Sequence, residues 1–218
     1  QEIGIDEYMA LCRELKSEPA ITVRMWNVPG EPEEAVAWVE YCNGSVDTKW
    51  GRLRAERGNP EPYNVKIWFV GNELYSFGRN GIKEPAIFAS CSKLFAEAMK
   101  KTDLSIKLVG CNDYTKDGSD EWSQELMKQA GEYIDYGSYH RYSGEKLQSV
   151  DAQTMAKASI PLGEACQTLS KNIDRPVMLD EWNMLWGRKA TVPMALHVAT
   201  TLNMHCRDSK KLGISHAY

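Results

Sequence analysis

A chain of 218 residues with formal net charge -4 and 43% hydrophobic residues has the balance of an ordinary globular protein. That mildly acidic balance excludes the basic stripe a nucleic-acid surface needs, and no apolar run approaches the roughly 20 residues that span a bilayer. No signal-peptide pattern opens the chain, but a first residue of Gln1 makes that weak evidence about compartment; the cytoplasm is the favoured expectation, with secretion as the alternative because the native N-terminus is expected upstream.

Helix and strand alternate from the start. Asp6 to Lys16 reads as a helix with Met9, Cys12 and Leu15 at helical spacing, and Ala20 to Met25 as a strand. Pro32 opens a second helix through Tyr41, with Glu33 and Glu34 at the positive end of its dipole. Asn43 to Tyr63 is a long loop with a short helical piece around Trp50 to Glu56. Strand Val65–Val70 leads to a Gly-containing loop and then a helix from Pro85 to Lys101, one face of which carries Phe88, Cys91, Phe95 and Ala98. Further along come strand Ile106–Cys111, helix Glu121–Ala130, strand Tyr133–His140 and a helix within Asp151–Leu169. Strand Pro176–Asp180 and helix Thr191–Arg207 follow, the helix with Leu196, Ala199, Leu202 and Cys206 turned inward, and a last strand is expected over Leu212–Ala217. Strand-helix alternation of this kind argues for one domain over residues 1–218 built on a parallel sheet covered by helices. No GxGxxG or P-loop follows a strand, which demotes a nucleotide site.

The six cysteines are widely spaced with no CxxC pair, so they read as free thiols in a reducing compartment rather than as a zinc site. Cys12, Cys91 and Cys206 fall on apolar helix faces.

Two apolar strands end in carboxylates: Lys66-Ile67-Trp68-Phe69-Val70 runs into Gly71-Asn72-Glu73, and Pro176-Val177-Met178-Leu179 into Asp180-Glu181-Trp182-Asn183. The C-terminal end of a parallel strand is where a barrel places its chemistry. Two carboxylates remote in sequence are what glycosidic-bond cleavage asks for, one to give a proton and one to act as nucleophile or base. Gly71 lets the backbone bend at the rim, and Asn72 offers an amide to a substrate hydroxyl. The plainer alternative for Glu73 is an exposed strand-end acid paired with a loop cation such as Arg79. On a regular strand Asp180 and Glu181 face opposite ways, so one of them is structural; Glu181 matches Glu73 in position and is the functional candidate.

Trp68-Phe69-Val70-Gly71-Asn72-Glu73, Ser138-Tyr139-His140-Arg141-Tyr142 and Leu179-Asp180-Glu181-Trp182-Asn183 together resemble glycoside hydrolase family 51, the α-L-arabinofuranosidases. The stretch from Glu33 to Asn43 and Pro60-Glu61-Pro62-Tyr63 are similar to that family as well. The resemblance implies a (β/α)8 TIM barrel of the α/β class, incomplete, with strands three to eight present, and a retaining double displacement. It implies Glu73 as acid/base after the fourth strand and Glu181 as nucleophile after the seventh. It also implies that Tyr142 hydrogen-bonds near the nucleophile and that His140 lines the site. Trp186 resembles a family tryptophan on the loop after the nucleophile, with Leu185 as the competing match. Trp26 and Asn27, after the third strand, are candidates for sugar contact; His197 and His205 read as structural residues of a helix. The loops Leu74 to Arg79 and Arg24 to Asn27 depart from the family pattern and border the substrate.

The expectation is therefore a glycoside hydrolase that removes α-L-arabinofuranosyl groups from arabinose-containing polysaccharides or oligosaccharides. No metal or organic cofactor and no nucleic-acid or membrane partner is expected, and the full-length parent is expected to be a homo-oligomer. The alternatives are another retaining barrel glycosidase, a β-xylosidase or endoglucanase, and a non-catalytic carbohydrate-binding barrel.

Overall fold

The computed structural model describes residues 3–25, 31–75, 82, 84–113, 117–143, 153, 157, 160–184 and 192–212. Their elements follow in chain order as α1 (Ile5–Leu15), β1 (Ala20–Val23), α2 (Glu33–Asn43), α3 (Lys49–Glu56), β2 (Ile67–Val70) and α4 (Pro85–Thr102). Then come β3 (Lys107–Gly110), α5 (Glu121–Ala130), β4 (Ile134–Ser143), α6 (Ile160–Ile173), β5 (Val177–Met184) and α7 (Val192–Leu212). The chain packs as two compact units, Gln1–Cys111 with Glu125–Asp135, and Asn112–Gln124 with Tyr136–Tyr218.

In the first unit β1, β2 and β3 run parallel, with Val23 opposite Val70 and Val70 opposite Gly110. All four residues of β2 are buried, the signature of a strand covered on both faces, and each such side chain contributes about 2 kcal/mol of hydrophobic stabilisation. Asp135 ties β3 to α4: it accepts from Lys107 Nζ at 2.8 Å, Lys100 Nζ at 3.0 Å and the Leu108 N–H at 3.0 Å. Burial alone would push its carboxyl up, but the bonds from Lys107, Leu108 and Lys100 outweigh that and hold it below the usual carboxylate range. Arg54 is fully buried, and its guanidinium donates to the carbonyls of Tyr41 (2.6 Å), Asn59 (3.0 Å) and Pro60 (3.0 Å). One cation thus satisfies three backbone acceptors and holds the turn after α3 against α2. Thr48 caps α3 by accepting from the Gly51 N–H, which accounts for the helical piece inside an otherwise irregular stretch.

In the second unit β4 and β5 pair in parallel, Gly137 opposite Val177 and Tyr139 opposite Leu179; the register then slips, so that His140 faces Glu181 and Asp180 is unmatched. This is a β-bulge. Pairing continues past it to Ser143 and Met184, which makes both strands longer than the sequence predicts. Tyr142 and Glu181 therefore lie within strands rather than after their ends, and His140 is an interior residue of β4 rather than its last.

Two further expectations are corrected. The inward face of α7 is not Leu196, Ala199, Leu202 and Cys206: Leu196 and Leu202 are exposed, as are Ala199 and Cys206. The buried stripe is His197, Thr201, Met204, His205 and Asp208, on the opposite side of the helix. The cause is a specific partner. Buried Trp182 of β5 presents its ring edge-to-face to His197 at 6.5 Å and His205 at 5.2 Å between centroids. Leu212, expected to open a strand, is the last residue of α7, and the rest of that expected strand lies outside the described residues. All six cysteines are free, five of them buried; burial pushes the Cys42 and Cys166 thiols up to about 12.

Candidate functional site

Glu73 stands just past β2, in the first unit. The Gly71 N–H still donates to Val23 O at 3.2 Å, so the ladder ends only there. Gly71 has φ +79°, and a Cβ on it would meet Leu74 Cδ1 at 2.3 Å, so no other residue fits this turn without displacement. Leu74 is buried and pins the far side of the turn, while Asn72 is exposed and Glu73 half-buried between them. Glu73 itself has φ +48°. Among the described residues three other non-glycines share that region: Lys16 caps a helix, and Asn64 and Asp174 are types that tolerate it. A glutamate there costs about 1–2 kcal/mol and marks a position where backbone strain is retained.

In the second unit two residues of β4 reach one carboxylate of β5. Glu181, half-buried on β5, accepts from Tyr142 Oη at Oε1, 2.5 Å away, and its Oε2 lies 3.4 Å from His140 Nδ1. Buried His140 turns its other nitrogen, Nε2, to Asp180 Oδ2 at 3.2 Å. Tyr142 and His140 are two apart on β4 and both reach Glu181, as an extended chain requires. A carboxylate bonded at one oxygen and flanked by an imidazole at the other is fixed in direction.

The sequence brackets Glu181, His140 and Tyr142 correctly as neighbours and misses how Asp180 joins them. Alternation along a strand predicts that Asp180 turns away from the face of Glu181. The bulge cancels that alternation, and both acids reach the same imidazole. A bulge depends on the register of the partner strand, which β5 alone does not encode; the Ser138-x-His140 spacing opposite an Asp-Glu pair is the one trace of it. Asn72 and Glu73 are described on their own turn. Trp26, Asn27, Trp186 and the loop cation Arg79 lie outside the described residues.

Comparison with known proteins gives these residues a context. A family described as Alpha-L-arabinofuranosidase 1 domain matches residues 1–158, which takes in Glu73, His140 and Tyr142. A protein of Aspergillus terreus named probable alpha-L-arabinofuranosidase C is 33% identical over 98% of this chain and 48% of its own length. The intracellular exo-alpha-(1->5)-L-arabinofuranosidase of Acetivibrio thermocellus is 31% identical over 72% of this chain and 31% of its own length. The crystal structure of an alpha-L-arabinofuranosidase from Thermotoga maritima, an arabinose complex, superposes with a TM-score of 0.84 at 29% identity, covering 98% of this chain and 46% of that one. The chain thus spans about half the length of the curated relatives it matches. Its fold is an incomplete (β/α)8 barrel. With 158 of its 218 residues matched and similarity to solved structures along nearly its whole length, the chain belongs to the α-L-arabinofuranosidases of glycoside hydrolase family 51.

Proposed function

We propose that the protein containing this chain is a retaining exo-glycosidase that removes α-L-arabinofuranosyl groups from arabinose-containing oligosaccharides or polysaccharides. The observation that carries the reading is the Glu181 clamp, Tyr142 on one carboxylate oxygen and His140 beside the other, in a chain of this family. Glu181 attacks the anomeric carbon while Glu73 gives its proton to the departing glycosidic oxygen. The C–O bond breaks, the alcohol leaves, and the sugar is held as an ester of Glu181. Glu73, now a carboxylate, takes a proton from water, and the oxygen of that water displaces Glu181 from the anomeric carbon. One water is consumed, arabinose is released, and both glutamates return to their starting states.

A retaining site requires the two carboxyl groups about 5–5.5 Å apart, against roughly 6.5–9.5 Å for an inverting one. Asn72, His140, Tyr142, Trp26, Asn27 and Trp186 are the proposed sugar contacts, with Asn72 suited to the 2-hydroxyl. The reaction as written needs no metal or organic cofactor. A cytoplasmic location and a homo-oligomeric parent complete the reading; the former is supported by the name of the Acetivibrio thermocellus relative.

The test is Glu181→Ala in the full-length protein, assayed on an aryl α-L-arabinofuranoside. Hydrolysis should disappear and return in part with azide, as the glycosyl azide of inverted configuration. Undiminished hydrolysis without azide refutes the assignment. Faster turnover of an aryl β-xyloside or a glucan by the unaltered protein would move the substrate to the alternative glycosidases.

A further inference from the structure

Asp180 is committed within the protein. Its Oδ1 accepts from the Tyr139 N–H at 3.0 Å and from Ser138 Oγ at 3.0 Å, and its Oδ2 from Ser138 Oγ at 2.9 Å. One hydroxyl hydrogen is shared between the two carboxylate oxygens. Both oxygens are thereby arranged as acceptors, so the hydrogen between Asp180 Oδ2 and His140 Nε2 sits on the nitrogen. His140 is 4% exposed, which leaves its ring no route to turn toward bulk water. With Nε2 tied to Asp180, Nδ1 is held against Oε2 of Glu181 at 3.4 Å.

We propose that Asp180 is a positioning residue for hydrolysis: by accepting from Nε2–H of His140, it holds the imidazole ring with Nδ1 toward the nucleophile. The inference rests on the reading of Glu181 as that nucleophile. The bulge is its structural basis. On a regular β5 the register set by Gly137 opposite Val177 and Tyr139 opposite Leu179 would pair His140 with Asp180 and turn Glu181 to the other face; the bulge brings Glu181 to the imidazole that Asp180 already holds, and bulges beside active sites commonly serve to re-aim a side chain in this way. A purely structural Asp180 would fill the bulge and stabilise the fold; a positioning Asp180 acts on the reaction through His140 and through nothing else.

The experiment is a double-mutant cycle in the full-length protein, on an aryl α-L-arabinofuranoside, with Asp180→Asn, His140→Gln and the two combined. Asp180→Asn should lower kcat by roughly 10- to 100-fold, the range expected when a reacting group is misaligned, with KM changed by less than about threefold. The double variant should be no slower than His140→Gln within about twofold, because the two residues act as one unit. Losses that multiply overturn the proposal, as does an Asp180→Asn rate equal to that of the unaltered protein. If Asp180→Asn does not fold, the unaltered protein decides. In its imidazole nitrogen spectrum, with the His140 signals identified by their loss in His140→Gln, Nε2 should carry hydrogen, and a bare Nε2 overturns the proposal. Glu181→Ala separates the two levels. If it abolishes hydrolysis while Asp180→Asn is harmless, only the positioning role fails; if it leaves hydrolysis intact, the nucleophile reading fails and the positioning role with it.

Discussion

Replacing Tyr142 by Phe removes a single hydroxyl, the donor to Glu181 Oε1 at 2.5 Å, and leaves the ring in place. Hydrogen bonds to a charged acceptor are worth about 1.5–3 kcal/mol net, and every 1.36 kcal/mol is tenfold in rate, so complete loss sets a ceiling of roughly 10- to 150-fold. Where that loss appears depends on the charge of Glu181. In the first step the carboxylate becomes an ester and gives up its charge, so the donor is a hindrance as well as a guide. In the second step the charge returns, and the donor stabilises the departing carboxylate. Tyr142→Phe should therefore slow the second step more than the first. The covalent intermediate accumulates, kcat falls by up to the ceiling, KM falls with it, and kcat/KM changes less than kcat. Rapid-mixing measurement of aryl alcohol release from an activated arabinofuranoside should show a burst equal to the enzyme concentration, followed by slow turnover. Equal falls in kcat and kcat/KM without a burst would refute the argument, since they would place the role of Tyr142 in the first step. A kcat within twofold of the unaltered protein would refute the interaction itself.

Three perturbations test the framework behind the site. Gly71→Ala adds a Cβ at φ +79° and against Leu74 Cδ1; about 1–2 kcal/mol of backbone strain and about 1–3 kcal/mol of overpacking predict a stability loss of about 2–5 kcal/mol in urea unfolding, and an unchanged midpoint contradicts it. Arg54→Ala strands the carbonyls of Tyr41, Asn59 and Pro60 and should cost about 3 kcal/mol or more, with little recovery in Arg54→Lys, because one ammonium does not span three acceptors in a planar fork. Asp135 has a folded-state pKa below its unfolded value, so its contribution is full above about pH 4 and is lost as pH falls through the folded value. Asp135→Asn should therefore destabilise at neutral pH, the gap to the unaltered protein closing in acid; a gap that widens in acid reverses the assigned sign.

The parts of the fold legible in the sequence are those fixed by local chemistry. Glu121–Ala130 is helical over the predicted residues, and Pro85 marks a helix start by the position it occupies. β2 declares itself as an uninterrupted apolar run, and the turn after it by Gly71. What the sequence hides depends on a partner. The helix α7 carries two candidate stripes, an apolar one and one of His, Thr and Asp residues; hydrophobic periodicity selects the first. The structure buries the second, because the element beneath it offers the indole edge of Trp182, to which imidazole rings are better matched than leucines.

The same dependence governs Asp180 and Glu181. Inserting one extra residue between paired strands interrupts the ladder, and a buried backbone N–H left without an acceptor is expensive. Here the N–H of Tyr139, beside the slip in register, finds its acceptor in the Asp180 side chain, so the residue that forms the bulge also repairs it. Its second carboxylate oxygen is then turned to His140 Nε2, and the repair carries the imidazole toward Glu181. The two functions separate chemically. An asparagine at 180 keeps a carbonyl oxygen for the Tyr139 N–H, so the bulge survives. It then offers an amide N–H to His140 where the carboxylate accepted, so the hydrogen leaves Nε2. Asp180→Ala forfeits both. The bulge-forming role alone predicts that asparagine is tolerated and alanine is not; the positioning role predicts that asparagine folds like the parent and still turns over slowly.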